Sequence, residues 1–481
     1  MRSRIEDQIE MIISKKVTMS RKLSFVLEII ILLVFALSNI FPNALGNKQN
    51  RNVLAPTPPM GWNSWDCYGT TVTEAEVKAN ANYMAKHLRK YGWQYIVVDI
   101  QWSDPNAKAH GYIKNTLLEM DAYGRLIPAP NRFPSSINGK GFKPPADYIH
   151  KLGLKFGIHI MRGIPKLAVK QNLPIFNSKF YAQDAADTNS VCPWNTDMYG
   201  VKEGSSAGQA YYNSILKLYS SWGVDYIKAD DMTAFQNKPA DKNRLYDIEA
   251  LSKAIKNSGR KIVLSLSPGP ASVEQADFLE QHAQLWRISD DFWDKWSDIK
   301  QQFGFMRTWY KHIGSTTWPD ADMLPLGKIG LRAERGDARL TRFTKNEQYT
   351  LMSLWSIFRS PLMFGGNLPD TDEFTLSLIT NEEVLAVNQK SKNNRELFYD
   401  ENKVIWTADV PGTEEKYVAI FNISDSVLKN AKIEWKNLNP KFSKYSVRNL
   451  WDRKNLGEFV NEFAIDLEPH GCVLIKVKAV R

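Results

Sequence analysis

Short apolar runs alternate with amphipathic stretches from about residue 58 to 387 of this 481-residue chain. The apolar runs are 60–65, 95–99, 155–161, 224–230, 262–267, 285–289, 315–318 and 361–364, each followed by loop and helical material. Eight strand-then-helix units in a row predict a (β/α)8 barrel, with an open, doubly wound sheet as the competing arrangement. The helix signals are explicit. Thr73-Glu74-Ala75-Glu76 is a capping box, Val77, Ala81, Met84 and Leu88 mark one face after it, and Gly92 can end the helix. A second helix is predicted from about Gly208 to Trp222, with Gly223 as terminator, and a third near Asn243–Asn257. After Asn388 the period shortens. Residues 389–395 are polar and linker-like, and the alternating runs 404–407, 417–421, 431–435, 446–449 and 472–477 predict a small antiparallel β-sandwich. The chain thus divides into a barrel over 47–388 and a sandwich over 389–481.

Residues 1–46 read as a targeting segment. Arg21-Lys22 precede an apolar run over 23–41, and Ala44-Leu45-Gly46 supplies the small residues of a cleavage site. The expectation is a secreted protein, in the extracellular space, cell wall or vacuole, with no lasting membrane association once the signal is removed. An uncleaved anchor is the alternative, though the run is short and carries Glu28. Met19 is an alternative start. Residues 47–481 keep a net charge of +8, with no dense basic block, which argues against nucleic acid. Three cysteines, Cys67, Cys192 and Cys472, permit at most one internal disulfide. Asn422-Ile423-Ser424 is a glycosylation sequon that secretion would make usable. Nothing in the pattern specifies an oligomeric state.

Candidate chemistry lies where the apolar runs end, because a (β/α)8 barrel builds its site at the carboxyl ends of its strands. Those ends carry Trp65, Asp99, His159, Lys228 with Asp230, Ser267, Arg287 with Asp291, and Asp320 with Asp322. Acids at the exit of a buried strand are costly unless paired. Two of them facing one cleft would supply the carboxyl pair of glycoside hydrolysis. The plainer alternative is that they cap helices. Asp231 and Asp290 compete with Asp230 and Asp291. Alternation along a strand sends neighbours to opposite faces, so only one of each pair points inward. Fifteen tryptophans and 12% aromatic residues suit a cleft that packs flat rings on the apolar faces of sugars. The scattered histidines and cysteines have no metal-ligand spacing, and no phosphate-cradling glycine loop is present, so neither metal nor cofactor is expected.

Several motifs together resemble glycoside hydrolase family 27, the α-galactosidase (melibiase) family. They are Pro58-Pro59-Met60-Gly61-Trp62-Asn63-Ser64-Trp65, the 121–126, 131–135 and 153–158 segments, Trp222-Gly223-Val224-Asp225-Tyr226-Ile227-Lys228, Trp286-Arg287, the 320–324 segment and Ser360-Pro361-Leu362-Met363-Phe364-Gly365-Gly366. The resemblance spans roughly residues 55–390, and the terminal sandwich is typical of it. It implies a retaining exo-glycosidase acting on terminal α-D-galactopyranosyl residues of a carbohydrate substrate, with Asp230 as nucleophile and Asp291 as general acid/base. It assigns substrate contacts to Trp65, Asp99, Ile100, His159, Lys228, Ser267, Arg287 and Asp322.

The departures from the family pattern are informative. The second strand end, Asp-Asp-Cys-Trp in the family, is Asp99-Ile100-Gln101-Trp102 here. In the family that acid pair holds the sugar's 4- and 6-hydroxyls, and Ile100 cannot accept a hydrogen bond. A tyrosine of the third strand is His159, Lys-Tyr-Asp-Asn-Cys is Lys228-Ala229-Asp230-Asp231-Met232, and a Cys-Glu-Trp segment is Leu266-Ser267-Pro268-Gly269. β-L-arabinopyranose is α-D-galactopyranose without the hydroxymethyl group, so Ile100 beside Asp99 makes β-L-arabinopyranosidase activity the alternative. A catalytically inactive sugar-binding relative would not need both aspartates together with Lys228 and Arg287. A membrane-tethered structural role would rest on residues 23–41 alone.

Overall fold

The computed structural model describes residues 53–113, 116–233 and 242–480. The expected signal segment, 1–46, lies outside them. Among the described residues no helix is long and apolar enough to cross a membrane.

Eight parallel strands follow one another in a closed order. They are β1 (Met60–Asn63), β2 (Tyr95–Val98), β3 (Lys155–Met161), β4 (Tyr226–Asp230), β5 (Val263–Leu266), β6 (Leu285–Arg287), β7 (Trp318–Asp320) and β8 (Leu362–Phe364). β1 pairs with both β2 and β8. The gap between β7 and β8 is closed by Leu324, whose N–H donates to Met363 O at 2.8 Å and whose carbonyl accepts from Gly365 N at 2.9 Å. The helices between and after the strands include α1 (Glu74–Tyr83), α2 (Lys143–Lys151), α3 (Ser206–Trp222), α4 (Lys242–Ser258), α5 (Ala276–His282), α6 (Trp296–Trp309), α7 (Lys345–Phe358) and α8 (Glu382–Lys390). The (β/α)8 barrel is therefore the fold.

Strand alternation sorts the core into two layers. Tyr95 and Val97 join Tyr226, Val263, Leu285 and Met363 in one apolar cluster, while Ile96 and Val98 join the cluster that holds the surrounding helices. Gly61 is required beside Tyr95, since a Cβ there would sit 2.7 Å from the tyrosine Cβ. The capping box of α1 is present in full, and Val77, Ala81, Met84 and Leu88 are buried as the spacing predicts. The helix relaxes into a π turn over Met84–Leu88 before Gly92 ends it at φ 99°. α3 starts at a Ser205 N-cap and stops at Gly223 with φ 89°.

Four expectations need correction. Trp65 does not end a strand but opens a short helix, Trp65–Tyr68, because Ser64 turns the chain. β7 is Trp318–Asp320 rather than 315–318, placing its acid within the strand. Residues 389–395 are not a linker, since α8 runs to Lys390 and a strand starts at Lys392. Asn422 is fully buried, and its amide nitrogen donates to Ser426 O, Leu467 O and Glu468 O, so the folded chain has no room for a glycan there.

The strands that follow the barrel are β9 (Lys392–Tyr399), β10 (Lys403–Asp409), β11 (Lys416–Asn422), β12 (Leu428–Glu434), β13 (Lys444–Asn449), β14 (Lys454–Val460), β15 (Glu462–Leu467) and β16 (Cys472–Ala479). They form a six-stranded antiparallel sheet, ordered β9-β10-β11-β16-β13-β14, and a two-stranded β12-β15 sheet. One face of the large sheet packs with the small one through Ile405, Val418, Ile420, Ile433 and Trp435. The three cysteines are unpaired.

Candidate active site

Asp99, just beyond β2, accepts from Asn63 Nδ2 at 2.7 Å and from Lys228 Nζ at 2.9 Å on one oxygen. Its other oxygen accepts from Ile100 N at 2.8 Å. Burial alone would raise the pKa of this carboxyl. The Lys228 ammonium, His159 and the Ile100 N–H outweigh burial and hold it below the usual carboxylate range. Lys228 in turn is held protonated, against its own burial, by Asp99, Asp230 and Asp322.

Asp230 ends β4. Its Oδ2 lies 3.1 Å from His159 Nε2 on β3, and its Oδ1 accepts from Asp231 N at 3.0 Å. Burial opposes ionisation, yet His159 and Lys228 pull this carboxyl down to about 2. Asp231 faces elsewhere. At φ 61° its carboxylate meets Arg162 at 2.9 Å and Arg244 at 2.7 Å. Arg162 also reaches buried Asp247 at 2.9 Å. The structure thereby separates the two competitors at the end of β4: Asp231 belongs to an arginine cluster, and Asp230 to His159 and Lys228.

Arg287, the last residue of β6, is buried and bridges two acids. Its Nη1 is 2.8 Å from Asp322 Oδ1 and its Nη2 is 3.4 Å from Asp291 Oδ1. Asp322, at φ 82°, also accepts from Phe292 N at 2.8 Å, which ties the loop after β6 to the loop after β7. Asp291 leaves 35% of its side chain exposed. Even so, the protein packed around it raises its pKa; Asp322 and Asp230 add to this, Arg287 and Lys228 oppose it, and the outcome is about 6. Asp290 is exposed and only accepts from Asp291 N, at 2.9 Å. Asp320 is pushed up to about 7, chiefly by burial.

Trp65 joins this ring through Asn63, whose Oδ1 accepts from Trp65 N at 2.9 Å. Ile100 is buried in the apolar cluster that contains Trp65, Met161, Cys192 and Met198, and with His159 it lines a small cavity. Ser267 is buried directly after β5. Hydrogen bonds and ion pairs link Trp65, Asn63, Asp99 and Lys228, join His159 to Asp230, and join Arg287 to Asp291 and Asp322, and the charges of these three groups act on one another. Asn63, which fixes Asp99, was absent from the residues picked from sequence, although it lies in a quoted motif. Arg162 and Arg244 were missed as well, because their partners are set by the fold. Chemically, an ionised carboxylate, Asp230, and a carboxyl that keeps its proton into the mildly acid range, Asp291, lie within electrostatic reach of each other. That combination suits nucleophilic attack with proton donation.

Comparisons with known proteins agree with this fold. The profile of the α-galactosidase A family matches residues 200–390, and that of the α-galactosidase C-terminal β-sandwich domain matches 400–477. Among solved structures, a GH27 β-L-arabinopyranosidase from Geobacillus stearothermophilus is 51% identical. That match covers 90% of this chain and 99% of the other, with a TM-score of 0.87. Among curated proteins, α-galactosidase 2 of Arabidopsis thaliana is 26% identical over 92% of this chain and 94% of its own length. An α-galactosidase of Coffea arabica is 28% identical over 83% and 88%.

Proposed function

The chain belongs to glycoside hydrolase family 27, and from that premise we propose that it is a retaining exo-glycosidase that releases terminal α-D-galactopyranosyl residues. The observation that carries this reading is the opposed state of two acids within electrostatic reach of each other, Asp230 near 2 and Asp291 near 6. Asp230 attacks the anomeric carbon as the bond to the leaving oxygen breaks, and Asp291 gives that oxygen its proton. Asp291 then takes a proton from water as the water displaces Asp230 from the sugar. Lys228 and His159 keep Asp230 ionised, and Asp99, fixed by Asn63 and Lys228, offers an acceptor to a ring hydroxyl.

A second reading, β-L-arabinopyranosidase activity, is favoured by Ile100. An apolar side chain where the family pattern has a second aspartate suits a sugar with no hydroxymethyl group, and the 51%-identical relative carries that activity in its name. Nitrophenyl α-D-galactopyranoside and β-L-arabinopyranoside, compared by kcat/KM, decide between the two. The anomer first formed, read by proton NMR, tests retention: an inverted first product would sink the double-displacement scheme. Failure to cleave either glycoside would overturn the enzymatic reading.

The apolar run over 23–41 supports a signal segment and a secreted enzyme. N-terminal sequencing of material from the medium should begin near residue 47, and an intact, membrane-bound N-terminus would count against secretion.

A further inference from the structure

Three aromatic rings from three separate segments touch in series, from buried to exposed. Trp65 follows β1, Tyr112 lies in the loop after β2, and Trp194 lies in the loop after β3. Trp65 and Tyr112 stack with centroids 5.8 Å apart at 22°, and Tyr112 meets Trp194 at 5.7 Å and 47°. Exposure rises along the path: Trp65 is buried, Tyr112 half-buried, and Trp194 37% exposed. Tyr112 sits within the electrostatic reach of Asp230, Asp99 and Asp291, whose charges add to burial in raising its hydroxyl pKa.

The loop that bears Trp194 is well anchored. It joins two strands of a small three-stranded sheet, Ala186–Val191 and Met198–Val201. Asp197 beside it accepts from Gln101 Nε2 at 3.0 Å through its side chain and from Lys166 N at 2.9 Å through its carbonyl. Its own N–H donates to Asn195 Oδ1 at 3.2 Å, and Asn195 is buried. A large aromatic face presented to water by a fixed loop offers a flat apolar surface to a ring-shaped ligand.

We propose that Tyr112 and Trp194 form a subsite for the leaving group, packing against the apolar C–H face of a pyranose joined through the scissile bond. This rests on the glycosidase reading above and deepens it by naming the residues that hold the sugar on the leaving side. Trp65 is tied to Asp99 through Asn63, Tyr112 stacks on Trp65, and Trp194, beyond Tyr112, is the most exposed of the three. The next sugar of a chain would travel that way.

The test uses two substrates of whichever sugar the nitrophenyl panel selects: its glycosyl fluoride, whose leaving group has no ring, and a disaccharide in which it is linked to glucose. For Trp194→Ala, the ratio of kcat/KM on the disaccharide to that on the fluoride should fall about 2- to 10-fold, the range of one lost aromatic contact. Trp194→Phe should recover most of that ratio. Equal losses on both substrates, or an unchanged ratio, would overturn the subsite while leaving the glycosidase reading intact. If the wild-type enzyme cleaves neither substrate, the glycosidase reading falls and the subsite with it.

Discussion

Two adjacent aspartates at the end of β4 meet opposite environments, and this contrast governs the chemistry. Asp230 faces His159 and the Lys228 ammonium, whereas Asp231 is locked by Arg162 and Arg244. Asp230→Asn should remove nearly all turnover with little change in thermal midpoint, because an amide cannot act as the nucleophile. Asp291→Asn should slow substrates with poor leaving groups most, and equal losses on activated and unactivated glycosides would dismiss it as the acid. The pH dependence follows from the same two groups. Asp230 must be ionised and Asp291 protonated, so kcat/KM should hold between about 2 and about 6 and fall above that as Asp291 loses its proton. An alkaline limb that survives unchanged in Asp291→Asn would assign it to another group. Ile100→Asp places an acceptor beside Asp99. It should raise galactosidase relative to arabinopyranosidase efficiency several-fold, as one hydrogen bond of about 0.5–1.5 kcal/mol allows; an unmoved ratio would remove the physical support for the arabinose reading. At this scale much was legible, since strand-end acids stand out from apolar runs. The choice of Asp230 over Asp231 came from the family resemblance and not from the apolar pattern, because its physical cause is Arg162 and Arg244, brought in from other segments. Tyr112 and Trp194 gave no signal either: a lone aromatic in a loop has no period.

At the scale of elements, the apolar pattern located the barrel strands, and the cap signals and helical period located three of the helices. β9, β14 and β15 were missed. β14, Lys-Asn-Leu-Gly-Glu-Phe-Val, is an edge strand with most of its side chains in water, so no burial pattern is imposed on it. β4 shows how an element is braced from behind. Arg162, just past β3, holds Asp231 next to β4 and Asp247 on α4, and Tyr212 on α3 donates to Asp247 at 2.8 Å. Arg162→Met would leave buried Asp247 without its cation and Asp231 with Arg244 alone, at a cost of about 3–5 kcal/mol. The cost depends on pH. Burial already raises Asp247 to about 6 against the pull of Arg162, and a carboxyl whose folded pKa is raised loses stability as pH climbs from its unfolded value through its folded one. Urea midpoints should therefore show a larger deficit for Arg162→Met at pH 7.5 than at pH 5. A deficit independent of pH would mean the arginine acts by packing alone.

At the scale of the whole molecule, the polar stretch after Asn388 hid how tightly the sandwich is joined to the barrel. β10 and β11 read as nearly continuous apolar runs, Val-Ile-Trp-Thr-Ala and Tyr-Val-Ala-Ile-Phe, because both faces of their sheet are covered. Ile405, Val418 and Ile420 point to the small sheet, while Val404, Trp406, Ala419, Phe421 and Leu474 belong to the same apolar cluster as the barrel's helices. α7 shows the other side of this contact. Residues around its whole circumference, from Glu347 to Phe358, are buried, as expected of a helix enclosed on every side rather than one lying at a surface. Polar bonds fasten the seam: Thr350 Oγ1 donates to His470 O at 2.7 Å, Trp451 Nε1 to Ser353 Oγ at 2.9 Å, and Asn394 Nδ2 to Ile357 O at 2.6 Å. His470 stacks on Trp296 with centroids 3.8 Å apart and lies 2.8 Å from Glu347. Two parts with a shared apolar core should unfold together. Calorimetry should show one transition whose van't Hoff and calorimetric enthalpies agree. A chain ending at residue 391 should expose one face of α7 and aggregate or fail to fold, and its loss of activity would follow although every strand-end acid is retained. Two separate transitions, or a soluble and active barrel lacking residues 392–481, would show that the seam is a contact between independent domains and not part of one core.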